Sequence, residues 1–161
     1  MLPMGNVLHT MLKTAEETIS LGRMLSGCLQ GRGHVYLYGG LGAGKTTLCR
    51  GILRAMGYQG AVKSPTFTLV EPYRFERGQV YHFDLYRLND SDELEYIGID
   101  DYFSDQNLCL VEWPEKAKDS LPAGDLDVEL SIVGKSRCID FTPNSDFGSE
   151  VLEKLKQRLS G

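Results

Sequence analysis

The run Gly39-Gly40-Leu41-Gly42-Ala43-Gly44-Lys45-Thr46 fills every fixed position of the pattern G-x-x-x-x-G-K-[ST]. The chemistry such a run serves is the gripping of a polyphosphate. Glycines let a backbone curl until successive N–H groups point at one anion. A helix opening at Lys45 adds the positive end of its dipole. Gly42, Ala43 and Gly44 then form the cradle, and Lys45 is the point charge for the β- and γ-phosphates. The Thr46 hydroxyl is an oxygen ligand suited to Mg²⁺, a hard cation, and Thr47 is a donor for the α-phosphate. With 18 glycines in the chain, a chance match to the four fixed positions is on the order of one in a hundred. The other reading of the run is a Gly-rich turn before an ordinary helix.

A phosphate loop that works with a metal needs a carboxylate nearby. Glu112 ends the apolar run Leu108-Cys109-Leu110-Val111, where a metal-associated acid would stand. Asp is usual there, so the longer Glu is expected to act partly through water; the position also fits a strand-end carboxylate facing solvent. In His82-Phe83-Asp84-Leu85-Tyr86-Arg87 a strand would put His82, Asp84 and Tyr86 on one face. Asp84 is the candidate to position the attacking water or a magnesium-bound water, and with Lys45 it is a candidate catalytic residue. The same spacing fits a surface strand with a salt-bridged Asp. His82 reads as structural, and Arg87 as a partner of Asp84 or of another surface. Ser64, Thr66 and Thr68 stand where a γ-phosphate-sensing loop would, although Pro65 fits a strand start equally well.

Elements must hold these groups. Thr14 and Glu17 have capping-box spacing, with Ala15, Ile19, Gly22, Leu25 and Leu29 near one helical face before Gly31 and Gly33 end it. His34 to Tyr38 reads as a buried strand leading into the loop, and Lys45 to Met56 as the helix after it. Strands follow over 66–75 and 79–88 with a turn at Arg77-Gly78. A helix over 91–103 breaks at Gly98, and a short strand ends at Glu112, with Pro114 stopping it. Leu126, Val128, Leu130 and Ile132 alternate with polar residues. That strand hairpins through Gly134 to 137–141, and a final helix carries Val151, Leu152, Leu155 and Leu159. These elements specify a single α/β domain over 1–161 with a partly antiparallel sheet.

Composition narrows the partners. The chain has 161 residues, 42% hydrophobic and 24% charged, with a net charge of −5. That excludes collagen-like and largely disordered chains. The acidic balance disfavours a non-specific grip on DNA or RNA. No apolar run approaches the roughly 20 residues of a membrane span, and Met1 to Thr10 lacks the charge and apolar pattern of a secretory leader. Cys28, Cys49, Cys109 and Cys138 form no Cys-x-x-Cys pair, so reduced, buried thiols in a cytoplasmic protein are expected.

Beyond the phosphate loop, longer blocks carry a family resemblance. They are Tyr36-Leu37-Tyr38-Gly39, Lys63 to Tyr73, Tyr81 to Leu88, Glu93-Leu94-Glu95 with Gly98-Ile99, Asp101-Tyr102-Phe103, and Leu110-Val111-Glu112-Trp113-Pro114. Over about residues 34–115 the chain resembles TsaE, the small bacterial ATPase family that supports threonylcarbamoyl modification of an adenosine in tRNA. The resemblance implies a phosphate-loop NTPase fold, three-layered with a mixed sheet. It implies slow, Mg²⁺-dependent ATP hydrolysis that resets a complex of TsaB and TsaD, with tRNA reached indirectly through that complex and no role for DNA or a membrane. By the same resemblance, Lys45, Thr46 and Thr47 take the phosphate and metal positions, Asp84 the switch Asp, Glu112 the metal-associated acid and Trp113 the adjacent Trp. Residues 64–69 and 112–116 take the two switch segments, and Thr14 with Arg137 the adenine seat, although Arg137 shares strand phase with Ile139 and Phe141 and fits a core-edge position equally well. One departure stands out: Gly40 replaces a usual Asp or Glu. Two other functions fit the loop, a small-molecule or nucleoside kinase and a non-enzymatic nucleotide-dependent switch. Arg50, Arg54, Arg74 and Arg77 are too scattered for a kinase lid.

Overall fold

Thr14 caps the first helix as its spacing with Glu17 requires. The Thr14 side chain accepts from the Glu17 N–H at 3.1 Å and Glu17 Oε2 accepts from the Thr14 N–H at 3.1 Å. The computed structural model describes residues 7–161 except Arg77 and Lys118. Its strands are β1 (Leu8–Leu12), β2 (Gly33–Tyr38), β3 (Val70–Phe75), β4 (Gly78–Asp84), β5 (Leu108–Glu112), β6 (Leu126–Val133) and β7 (Ser136–Pro143). The helices are α1 (Ala15–Leu29), α2 (Lys45–Ala55), α3 (Asp92–Tyr96) and α4 (Asp146–Ser160), with 3₁₀ turns at Ile99–Asp101 and Pro114–Ala117.

Among the described residues the strands form one sheet in the order β1-β7-β6-β2-β5-β4-β3. The middle four, β6, β2, β5 and β4, run parallel. Antiparallel neighbours extend both edges. Side chains alternate across the sheet, as the pleat demands. Val35 and Leu37 of β2 join α1, α2 and α4 in one core. Tyr36 joins Phe83, Val111, Leu94 and Ile99 in another, beneath α3 and the first 3₁₀ turn. The result is a three-layer α/β fold. Register places Glu112 opposite both Leu37 and Asp84. Both acids therefore stand at the carboxyl ends of parallel strands, beside the loop leaving β2, where ligands of open α/β sheets bind.

Several expected boundaries move. Residues 66–69 turn instead of extending: the Leu69 N–H donates to Pro65 O at 2.9 Å and Leu69 has φ +68°. The strand expected over 79–88 ends at Asp84, because Leu88 closes a turn on Leu85 O at 3.0 Å. The helix expected over 91–103 becomes α3 and a 3₁₀ turn, divided at Gly98 with φ +74°. Arg77, half of the expected turn dipeptide, lies outside the described residues. The four cysteines are free and buried, and burial pushes the Cys109 thiol up to about 12. No described helix is long and apolar enough to cross a membrane.

Helix α2 carries Lys45 and Thr46, and its seating depends on two glycines. A Cβ on Gly22 of α1 would lie 2.5 Å from Leu48 O, and one on Gly51 of α2 would sit closer still to Ile19 O. The two backbones therefore pack directly on each other. Gly51→Ala should gain up to about 1 kcal/mol of helix propensity but force the helices apart, an overpacking cost of about 1–3 kcal/mol. The clash involves backbone on both sides and cannot rotate away. The expected net result is a lower thermal midpoint, by about 2–4 °C for each kcal/mol in a chain of this size. Circular dichroism checks it, and an unchanged or raised midpoint would show that the helices have room to part.

Candidate functional site

Backbone geometry explains the glycines of the loop. Gly39, Gly42 and Gly44 have φ of +142°, +78° and +110°, values side-chain-bearing residues rarely adopt. Gly40 is different. Its φ is not in that range, and a Cβ there would meet nothing within 4 Å. The loop fold therefore does not require glycine at 40. The Ala43 N–H donates to Gly40 O at 3.2 Å. At the mouth of α2, the N-cap is Gly44 with no side-chain hydrogen bond. Helices α1 and α4 are capped by the side chains of Thr14 and Ser145. The first amides of α2 have no intrahelical partner, and they face a cavity of about 260 Å³ lined by the loop, Ser64, Thr66, Asp84 and Glu112.

The acid side of this cavity is built across strands. Thr46 Oγ1 donates to Glu112 at 2.8 Å (Oε2) and 3.1 Å (Oε1). His82 Nε2 lies 2.6 Å from Glu112 Oε2. Glu112 is thus pinned between a hydroxyl on α2 and an imidazole on β4. His82 has no exposed surface, and its Nδ1 has no hydrogen-bond partner among the described residues. It is a positioning residue for the acid, a role its reading as structural does not contain. The oxygen pair of Thr46 and Glu112 suits a hard cation such as Mg²⁺. Among the described residues that line the cavity, the buried carboxylates Asp84 and Glu112 share it with one buried ammonium, Lys45.

Lys45 donates to Gly39 O, and its Nζ stands 3.6 Å above the Trp113 ring. The Tyr86 ring adjoins Trp113 at 4.9 Å. Trp113 has φ +58°, a costly conformation for a bulky residue, and it directly follows Glu112. Burial lowers the pKa of Lys45, while Glu112, Glu115 and Asp84 oppose that shift.

Asp84 holds the 64–69 segment. Ser64 Oγ donates to Asp84 Oδ2, and Thr66 Oγ1 donates to the same oxygen at 3.3 Å. Oδ1 accepts the Tyr86 N–H at 2.9 Å, and the Asp84 N–H donates to Leu69 O at 3.0 Å. Asp84 is only 4% exposed, which excludes the solvent-facing salt bridge. Arg87 lies over the Phe67 ring at 4.5 Å, so it is a loop contact and not a partner of Asp84. Thr68 is exposed and, with Ser64, Thr66 and Phe67, lines a neighbouring recess on the outer side of the same segment; it does not line the cavity of the loop.

Thr14 and Arg137 do come together. With Lys13, Thr18 and Lys135 they line a recess of about 150 Å³ that shares Gly42, Gly44 and Thr47 with the loop. Arg137 Nη2 donates to Gly42 O at 3.3 Å.

Comparison with known proteins agrees with this arrangement. A family model described as "Threonylcarbamoyl adenosine biosynthesis protein TsaE" matches residues 12–139. A Haemophilus influenzae protein named tRNA threonylcarbamoyladenosine biosynthesis protein TsaE is 49% identical over 118 residues, covering 73% of this chain and 75% of that protein. The Bacillus subtilis protein of the same name is 37% identical over 143 residues, 88% and 89% of the two chains. The crystal structure of Bacillus subtilis YdiB superposes with a TM-score of 0.79 at 29% identity, covering 94% of this chain and 95% of that one. With the family model spanning most of the sequence and the phosphate loop, Asp84 and Glu112 converging on one cavity, the chain belongs to the TsaE family.

Proposed function

We propose that this protein is a Mg²⁺-dependent ATPase of tRNA threonylcarbamoyladenosine biosynthesis, which binds a TsaB–TsaD complex and uses ATP to reset it between turnovers. Membership in the family supports the pathway. The observation that carries the chemistry is the N-terminus of α2, capped by no side chain, opening on a cavity that also holds Lys45, Thr46, Asp84 and Glu112. In this reading the α2 amides and Lys45 bind the phosphates, and the Thr14–Arg137 recess takes the base. Mg²⁺, held through Thr46 and Glu112, supplies charge neutralisation for the transferring phosphoryl group. His82 fixes Glu112, and Asp84 orients the attacking water. The reaction is the cleavage of the terminal phosphoanhydride by water, giving ADP and phosphate.

In the structure Asp84 is engaged with Ser64 and Thr66. An Asp so occupied has less capacity to hold water, so in this reading the protein alone hydrolyses ATP slowly. Docking of TsaB–TsaD is proposed to rearrange 64–69 and free Asp84. No arginine of the described residues lines the phosphate cavity, so transition-state charge is left to the amides, Lys45, the metal and any group the partner supplies. The test is phosphate release with and without TsaB–TsaD. Stimulation is the expected result. Unchanged turnover would remove partner gating, and phosphate appearing on an acceptor other than water would make the protein a kinase. If the non-hydrolysable analogue supported threonylcarbamoyl transfer as well as ATP does, the protein would be a switch and not an ATPase.

A further inference from the structure

The outer face of the β1–β7 edge carries chemistry that the nucleotide site does not use. The two strands pair antiparallel, with His9 opposite Asp140 and Met11 opposite Cys138. Leu12, Ile139 and Phe141 turn into the core, so the alternation of the pleat sends His9, Cys138 and Asp140 to the other face. There His9 Nδ1 lies 2.5 Å from Asp140 Oδ1. Cys138 Sγ lies 3.4 Å from His9 Nδ1 and 4.0 Å from Asp140 Oδ2. An imidazole nitrogen, a thiol sulfur and a carboxylate oxygen thus lie within 4.8 Å of one another.

We propose that His9, Cys138 and Asp140 form a binding site for a zinc-class divalent cation. Ligands at zinc distances in a tetrahedron are about 3.3–3.8 Å apart. The sulfur–imidazole spacing already meets this. The imidazole–carboxylate pair must open by less than about 1 Å to meet it, and the His9 side chain, 61% exposed, is free to turn. The mixed nitrogen, sulfur and oxygen set selects a borderline cation over Mg²⁺. Glu129 stands opposite Asp140 on β6, and its neighbours Val128 and Leu130 point inward. It or a water completes the fourth position. Burial, then Asp140 and Glu129, push the Cys138 thiol up, so the sulfur is protonated until a cation arrives. Binding forms the sulfur–metal bond and releases that proton to solvent. His9, Cys138 and Asp140 line neither the phosphate cavity nor the Thr14–Arg137 recess, and the proposal stands independently of the proposed ATPase reaction.

Co²⁺ titration of the reduced, nucleotide-free full chain tests it through the sulfur-to-cobalt charge-transfer absorption. One equivalent should develop the band, and Zn²⁺ should abolish it. Cys138→Ser should remove the band. His9→Ala changes only an exposed side chain, so folding is preserved, and it should weaken Co²⁺ binding by about 10–100-fold. Absence of a band at several equivalents would overturn the proposal and leave an ion pair beside a thiol. A band that survives Cys138→Ser would also overturn it, placing the metal on Cys49, beside His82 and Glu112.

Discussion

Asp84→Ala is expected to lower ATP turnover about 10²–10⁴-fold, the range typical of losing a group that handles the attacking water's proton, while changing ATP affinity far less. The asymmetry follows from position. Phosphate binding is assigned to the α2 amides and Lys45, and Asp84 contacts neither. It stands across the cavity at the end of β4, beside Glu112. Its loss also strips the acceptor from Ser64, Thr66 and the Tyr86 N–H. An unpaired buried donor costs about 1–3 kcal/mol, so some destabilisation is expected as well. Asp84→Asn separates the two effects, since its carbonyl still accepts hydrogen bonds but its charge is gone. Stability near the parent with turnover near that of Ala would assign the loss to the carboxylate charge. Phosphate release and calorimetric ATP titration measure the two quantities, and an equal fall in both would make Asp84 a structural residue.

What the sequence disclosed depended on how local the cause was. The capping box of α1, the left-handed glycines of the phosphate loop and the alternation of β6 are set within a few residues, and they read correctly. The sheet's middle strands also read well, because a short apolar run bounded by polar residues has few other uses. Residues 66–69 misled because Phe67 and Thr68 favour strands locally, whereas the turn is imposed from outside by Asp84, through Ser64, Thr66 and Leu69. The role of His82 was hidden for the same reason. Its partner Glu112 lies 30 residues away, and spacing within β4 gives only the face. A buried His in phase with Asp84 was the available signal. β1 offered little. Its five residues hold two inward leucines, and its register is set by β7 at the far end of the chain. Arg137 shares phase with the buried Ile139 and Phe141, yet it reaches Gly42 because the strand ends at the rim of the loop.

Lys45→Ala is expected to weaken ATP binding by about 10–100-fold, which is what losing a charged hydrogen bond of about 1.5–3 kcal/mol gives. Among the described residues lining the phosphate cavity Lys45 is the one cation, set against the buried carboxylates Asp84 and Glu112. Removing it leaves those charges uncompensated toward an incoming polyanion, so the loss belongs at the upper end of that range. Trp113 provides the readout. It is the only tryptophan of the chain, and Lys45 lies 3.6 Å above its ring. In the parent, drawing Lys45 toward phosphate removes a cation from the indole and changes its emission. In Lys45→Ala the nucleotide-dependent change should disappear; a response that persists would show that it does not arise from the Lys45–Trp113 contact, and a parent whose emission is unchanged by nucleotide would count against Trp113 at the binding site. The pH dependence has a definite sign. Burial lowers the Lys45 pKa from its ordinary 10.5, so the ammonium is lost at a lower pH than from a free lysine. ATP affinity should fall as pH rises through that lowered value and level off above the higher pKa that bound triphosphate gives the ammonium. Lys45→Ala should lack this alkaline limb, and a parent with no such limb would remove Lys45 from phosphate binding.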